Sequence, residues 1–150
     1  MAAAQLGDII RRHQDREGPA LVVLQAIQAE YGYIPEEAVP EVAAALNLSR
    51  AEIHGLVTFY HDFRRHRAGR HVLKLCRAEA CQAMGAERLA AHAQARLGVS
   101  WHETTSGGGI TLEPVFCLGL CACAPAALLD EVPLGRLDAP ALDAALDGLA

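Results

Sequence analysis

Apolar residues recur at helical spacing through the first sixty positions, and strand-like alternation begins only after residue 70. Leu6, Ile9 and Ile10 mark a first helix that stops at Gly18-Pro19, a glycine stop followed by a proline suited to a helix's first turn. Leu21, Leu24, Ile27 and Tyr31 mark a second, which Gly32 ends. Pro35 and Pro40 each permit a helix start and forbid continuation, so 35–47 is predicted as a short kinked or double helix with Asn47 as a left-handed stop. Ser49-Arg50-Ala51-Glu52 is a capping box, and the helix it opens carries Ile53, Leu56, Val57 and Tyr60 on one side.

The stretch from His61 to His71 is basic and unpatterned, with Arg64, Arg65, Arg67 and Arg70, and is expected to separate a helical region, 1–68, from a second domain, 69–150. In that second half His71–Leu75 alternates as a short strand that delivers Cys76 at its end. Cys81 is placed in the loop before a helix that starts near Gly85, buries Ala86, Leu89, Ala90, Ala93 and Leu97, and stops at Gly98. Trp101–Thr104 and Ile110–Val115 are predicted as two strands joined by the glycine-rich turn Ser106–Gly109. Ala126–Leu129 reads as a further strand, and Pro140 opens a last helix through Leu142, Ala145 and Leu149. The order gives an N-terminal helical bundle followed by an α/β layer with helices on a small sheet.

At 150 residues this is one domain, or a small domain with a helical extension. Thirteen Lys and Arg against 18 Asp and Glu leave a net charge of −5, which argues against nucleic acid or an anionic membrane as the main partner. No apolar run is long enough to span a bilayer and no secretory signal opens the chain. An odd count of five cysteines then favours a reducing, cytoplasmic setting over a disulfide framework.

Four of those cysteines carry the chemistry. Cys76 and Cys81 form a C-x4-C pair, and Cys117 and Cys121 a C-x3-C pair, each in a loop at a strand end. Two such loops can converge on one soft centre, and four thiolates suit a [2Fe–2S] cluster that moves electrons. Structural zinc also takes four thiolates, and inert or redox-active thiols are the blander alternative. Gly119 lets the second loop wrap closely and turn backbone N–H groups toward sulfur. Those donors are needed because four thiolates around an oxidised core leave a double negative charge, and reduction makes it triple. Cys123 is read as a neighbour outside the ligand set. The seven histidines form no metalloprotease pattern, the Ser106–Gly109 run lacks the Lys-Ser/Thr of a phosphate loop, and no Ser/His/Asp or nucleotide fingerprint occurs.

Gly32-Tyr33-Ile34-Pro35, Thr58-Phe59-Tyr60 with Phe63, Cys76-x4-Cys81 with Gly85-Ala86, Glu103-Thr104-Thr105, and Cys117-Leu118-Gly119-x-Cys121 with Ala124-Pro125 occur in that order. This set resembles the thioredoxin-like [2Fe–2S] subunits of the NADH-oxidising module of complex I, of NAD-linked hydrogenases and of molybdenum-containing, NAD-dependent formate dehydrogenases. Within the family, Thr58–Phe63 and Cys76–Cys81 look most like the gamma subunit of a soluble formate dehydrogenase. The family's usual Asp-Gly in the hairpin turn is here Gly108-Gly109, away from the cysteines. The resemblance implies a thioredoxin-like ferredoxin domain and a [2Fe–2S] cluster on Cys76, Cys81, Cys117 and Cys121. It also implies a partner subunit that binds flavin mononucleotide and NAD, and a larger iron–sulfur or molybdenum subunit that carries the catalysis. Phe59, Tyr60 and Phe63, rimmed by Arg64, Arg65 and Arg67, are either an apolar anchor for such a partner or interdomain core.

Overall fold

Four helices form where the apolar spacing puts them: α1 (Ala3–His13), α2 (Pro19–Tyr31), α3 (Ala38–Ala45) and α4 (Arg50–Phe59). They are seen in a computed structural model that describes residues 3–149. By its internal contacts the chain divides into two units, with the boundary between Arg67 and Ala68. In the first unit, Gly18 and Gly32 bracket α2 in left-handed conformations, and the Gly32 N–H closes on the Gln28 carbonyl at 2.7 Å. Asn47 is left-handed as expected, with φ of 55°. Pro40 does not break the segment. It is the third residue of α3, where a helix N–H has no intrahelical acceptor to lose, so one helix forms instead of two.

Leu6, Leu24, Ile27, Val42 and Ile53 are wholly buried in this unit's core. The segment after α4 is tied to α2. The Gln28 amide donates to the Asp62 carbonyl and accepts from the Arg64 N–H, both at 2.7 Å. Phe63 packs on the core, whereas Phe59 is 73 % exposed and meets the ring of Tyr60 edge-on at 5.2 Å.

The second unit contains β1 (His71–Cys76), α5 (Glu79–Ala83), α6 (Ala86–Leu97), β2 (Ile110–Val115), β3 (Ala127–Leu129), β4 (Val132–Leu134) and α7 (Ala139–Asp147). The sheet order is β2-β1-β3-β4, with β1 parallel to β2 and the other pairs antiparallel. Leu73 and Leu75 of β1, Leu112 of β2 and Ala127 of β3 share a core with Leu89 and Ala93 of α6 and Leu142 of α7. Three details differ from expectation. Cys81 lies inside the five-residue helix α5, not in a loop. Trp101–Thr104 makes only a single bridge, Thr104 to Thr111, because His102 leaves the extended region at φ 65°. Val132–Leu134 adds an edge strand, where a proline is tolerated, after a turn of two left-handed residues, Asp130 and Glu131. No helix among the described residues is long and apolar enough to cross a membrane.

The clearest local signal is also the easiest to test. Ser49 accepts from the Glu52 N–H at 3.2 Å and its own N–H donates to the Glu52 carboxylate at 2.8 Å. That backbone donor holds the Glu52 carboxyl below its usual range. The bond's contribution is therefore present above the ordinary carboxylate range and fades as pH falls through the lowered value. Ser49→Ala is expected to cost about 1 kcal/mol, seen as faster amide exchange in α4; unchanged exchange there refutes the cap's role.

Candidate metal centre

β1 and β2 end side by side, with Cys76 opposite Val115. The backbone beyond is stitched on both sides: Cys76 N–H donates to the Ala126 carbonyl at 3.0 Å and Arg77 N–H to the Val115 carbonyl at 2.8 Å. β2 continues through Phe116 into Cys117, so both cysteine segments leave the same end of the sheet. Alternation along β1 buries Leu73 and Leu75, and Cys76 breaks it by being buried as well. It joins a small second cluster with Cys81, Ala86 and Ala126. Cys117 and Cys121 stand exposed at the other side.

The sulfurs meet in two pairs. Cys76 pairs with Cys81 and Cys117 with Cys121, each within hydrogen-bonding reach, and Cys76 and Cys121 are near enough for their charges to act on one another. Burial pushes the Cys76 thiol up, but backbone N–H groups of Ala78, Cys117 and Leu118, together with the Cys81 thiol, outweigh it and leave it below its ordinary value. Cys81 is pushed up by burial and by its bond to Cys76, eased by the Ala126 N–H. Cys121 is pushed up first by its bond to Cys117, then by that sulfur's charge.

The second loop is shaped to present donors. Cys117 sits at φ 95°, a region that residues with a Cβ rarely adopt, and Gly119 at φ 75°. This turns the N–H groups of residues 117 and 118 onto Cys76, while the Gly119 N–H reaches Cys117 Sγ at 3.4 Å. Such a run of inward N–H groups is an anion nest. Among the described residues no group of three or more His, Cys, Asp or Glu surrounds a single point. Two pairs of thiolates, one per loop, fit the four-cysteine donor set of an iron–sulfur centre.

Of the four cysteines singled out from their spacing, the structure pairs Cys76 with Cys81 and Cys117 with Cys121. Cys123 closes a short 3-10 turn from Cys121, its carbonyl accepts from the Arg136 N–H at 2.6 Å, and its side chain lies against Gly135. Sequence reasoning missed the donors on Ala78 and Ala126 and the backbone of Cys117. Only Gly119, two residues on, hinted at that turn.

Comparison with known proteins agrees with this geometry. The family model of the thioredoxin-like [2Fe–2S] ferredoxins matches residues 6–150. A subunit of the NADH-quinone oxidoreductase of Rhizobium meliloti is 38% identical over 136 residues, covering 91% of this chain and 81% of the relative. The corresponding subunit of the Pseudomonas aeruginosa NADH-quinone oxidoreductase is 31% identical over 122 residues, covering 81% and 74%. Among solved structures, an NAD+-reducing [NiFe]-hydrogenase in its H2-reduced state matches with a TM-score of 0.68 and 26% identity over 84% of this chain. The chain spans only 22% of that hydrogenase chain.

Gly119 gives the test of the loop. A Cβ there meets nothing within 4 Å, so Gly119→Ala changes backbone strain alone. It is expected to destabilise the cluster-free chain by roughly 1–2 kcal/mol. Gly107→Ala, at an open position without positive φ, is expected to stay within about 0.5 kcal/mol. Equal losses in urea unfolding refute the strain argument.

Proposed function

Because the chain belongs to the thioredoxin-like [2Fe–2S] ferredoxin family, whose cofactor is a [2Fe–2S] cluster, we propose that Cys76, Cys81, Cys117 and Cys121 hold that cluster and that the chain is an electron-transfer subunit of an NAD-dependent oxidoreductase. The observation that carries this reading is the pairing of four sulfurs across two loops, with three backbone N–H groups on the buried Cys76. When bound, the cluster takes up and returns one electron at a time. Cys76 and Cys81 hold the buried side; Cys117 and Cys121 hold the side that faces out, where a partner's redox group can approach. The protein's task is to offset charge: the N–H groups of Ala78, Cys117, Leu118, Gly119 and Ala126 stabilise sulfur charge that burial opposes.

The chain has no nucleotide fingerprint, so NAD and flavin mononucleotide belong to a partner subunit, with a larger catalytic subunit beyond it. Phe59 and Tyr60, exposed and edge-on to each other, are the proposed anchor for that partner. The relatives from Rhizobium and Pseudomonas favour a holoenzyme of the NADH-quinone oxidoreductase type, and the hydrogenase match favours the wider NAD-linked class. The narrower formate dehydrogenase assignment rests on the Thr58–Phe63 and Cys76–Cys81 segments alone. In either holoenzyme we place the subunit on the cytoplasmic side, peripheral to any membrane.

Anaerobic purification followed by iron and acid-labile sulfide assay tests the ligand set. Wild type is expected to be red-brown with about two of each. Alanine at Cys76, Cys81, Cys117 or Cys121 is expected to lose most of both, and Cys123→Ala to keep them. A bleached Cys123→Ala beside an intact Cys121→Ala refutes the assignment. Partner dependence is read from absorbance: NADH should bleach the cluster when the flavin subunit is coexpressed and leave it oxidised when the chain is alone. Bleaching of the isolated chain by NADH refutes the division of labour.

A further inference from the structure

Arg77 follows Cys76 directly and is held at four points. Its N–H donates to the Val115 carbonyl at 2.8 Å, and its carbonyl accepts from Gln82 Nε2 at 2.7 Å. Its Nη2 donates to the Glu87 carboxylate at 2.6 Å, and its guanidinium carbon lies 5.3 Å from the centre of the Trp101 ring. Those contacts reach both cysteine loops: Val115 leads into Phe116 and Cys117, Gln82 follows Cys81, and Glu87 sits in the first turn of α6. The Nε–H is buried and has no hydrogen-bond partner. A guanidinium does not lose its proton in a protein, so this is a permanent positive charge on the residue that follows a proposed ligand.

Glu87 offsets that charge only in part. Its side chain is 71% exposed and its field is screened by water, whereas that of Arg77 is 27% exposed. A cation held in the loop that carries such a centre favours the addition of one more electron to it. We propose that Arg77 is a positioning and tuning residue, clamped by Trp101 and Glu87, that raises the reduction potential of the cluster. The inference rests on the four-cysteine reading and deepens it. None of the contacts that hold Arg77 involves a sulfur, so its influence is through charge and loop placement and not through ligation.

The test uses the full chain, reconstituted with iron and sulfide, and a potentiometric titration followed by absorbance and by the electron paramagnetic resonance of the reduced form. Arg77→Met, which keeps length and loses charge, is expected to retain wild-type iron and to shift the equilibrium about tenfold toward the oxidised form, ~59 mV for one electron. Glu87→Gln is expected to shift it the other way by less, and Arg77→Lys to restore most of the wild-type value. A merely structural role for Arg77 would lower iron content or stability and leave the midpoint of the loaded fraction where it was. Arg77→Met with wild-type iron and an unchanged midpoint overturns the proposal. Should Arg77→Met not retain iron, an unmoved or lowered midpoint in Glu87→Gln overturns it equally. A wild-type chain that takes up no cluster sinks the four-cysteine reading and this inference together; loaded variants with wild-type midpoints sink this inference alone.

Discussion

Negative charge gathered on several sulfurs, two of them buried, has to be met by donors that are already in place before a metal arrives. Here the donors come largely from the facing loop: Cys76 receives N–H groups from Cys117 and Leu118 as well as from its own Ala78. That exchange is possible only because β1 and β2 run parallel and end together, with Cys76 opposite Val115. A slip of one residue would turn the side chains of β1 to the other face of the sheet and carry Cys76 with them. The unusual backbone at Cys117 and the left-handed Gly119 serve the same demand, since an ordinary extended continuation of β2 would point those N–H groups alternately to either side.

Much of this was legible in the chain, for reasons that are local. Gly32 and Gly98 end helices because a left-handed residue satisfies the last carbonyls, and the Ser49–Glu52 box is decided within four residues. Cysteine spacing showed which four sulfurs could converge. What escaped was decided by tertiary contact or by segments too short to show a period. α5 has five residues and no apolar repeat, so Cys81 read as loop. Trp101–Thr104 alternates well enough for a strand, yet the backbone of His102 leaves it a single bridge. Nothing marks cysteine as a left-handed residue, so the geometry at Cys117 had no signal of its own.

Stability and chemistry occupy different parts of the second unit. Leu73, Leu112 and Leu142 are wholly buried between the sheet and its helices, and each contributes about 1.5–3 kcal/mol. Cys76 and Cys81 sit in a separate cluster with Ala86 and Ala126, against which Val115, Leu118 and Leu120 pack. This cluster is smaller than the one between the sheet and its helices. The cysteine segments are held by backbone bonds to Ala126 and Val115, by the Gln82 amide on the Arg77 carbonyl and by N–H groups on sulfur, while the sheet keeps its own core.

The two cysteine pairs also face different dielectric problems. Water reaches Cys117 and Cys121 and can respond when their charge changes. It does not reach Cys76 and Cys81, which are 3% and 2% exposed. Charge placed on that side has to be answered by groups fixed in the fold, because burial alone opposes it. The structure concentrates such groups there: the N–H donors on Cys76 and the Ala126 N–H on Cys81. An electron carrier needs one side that does not reorganise and one side that a partner can approach, and the unequal burial of the pairs supplies both.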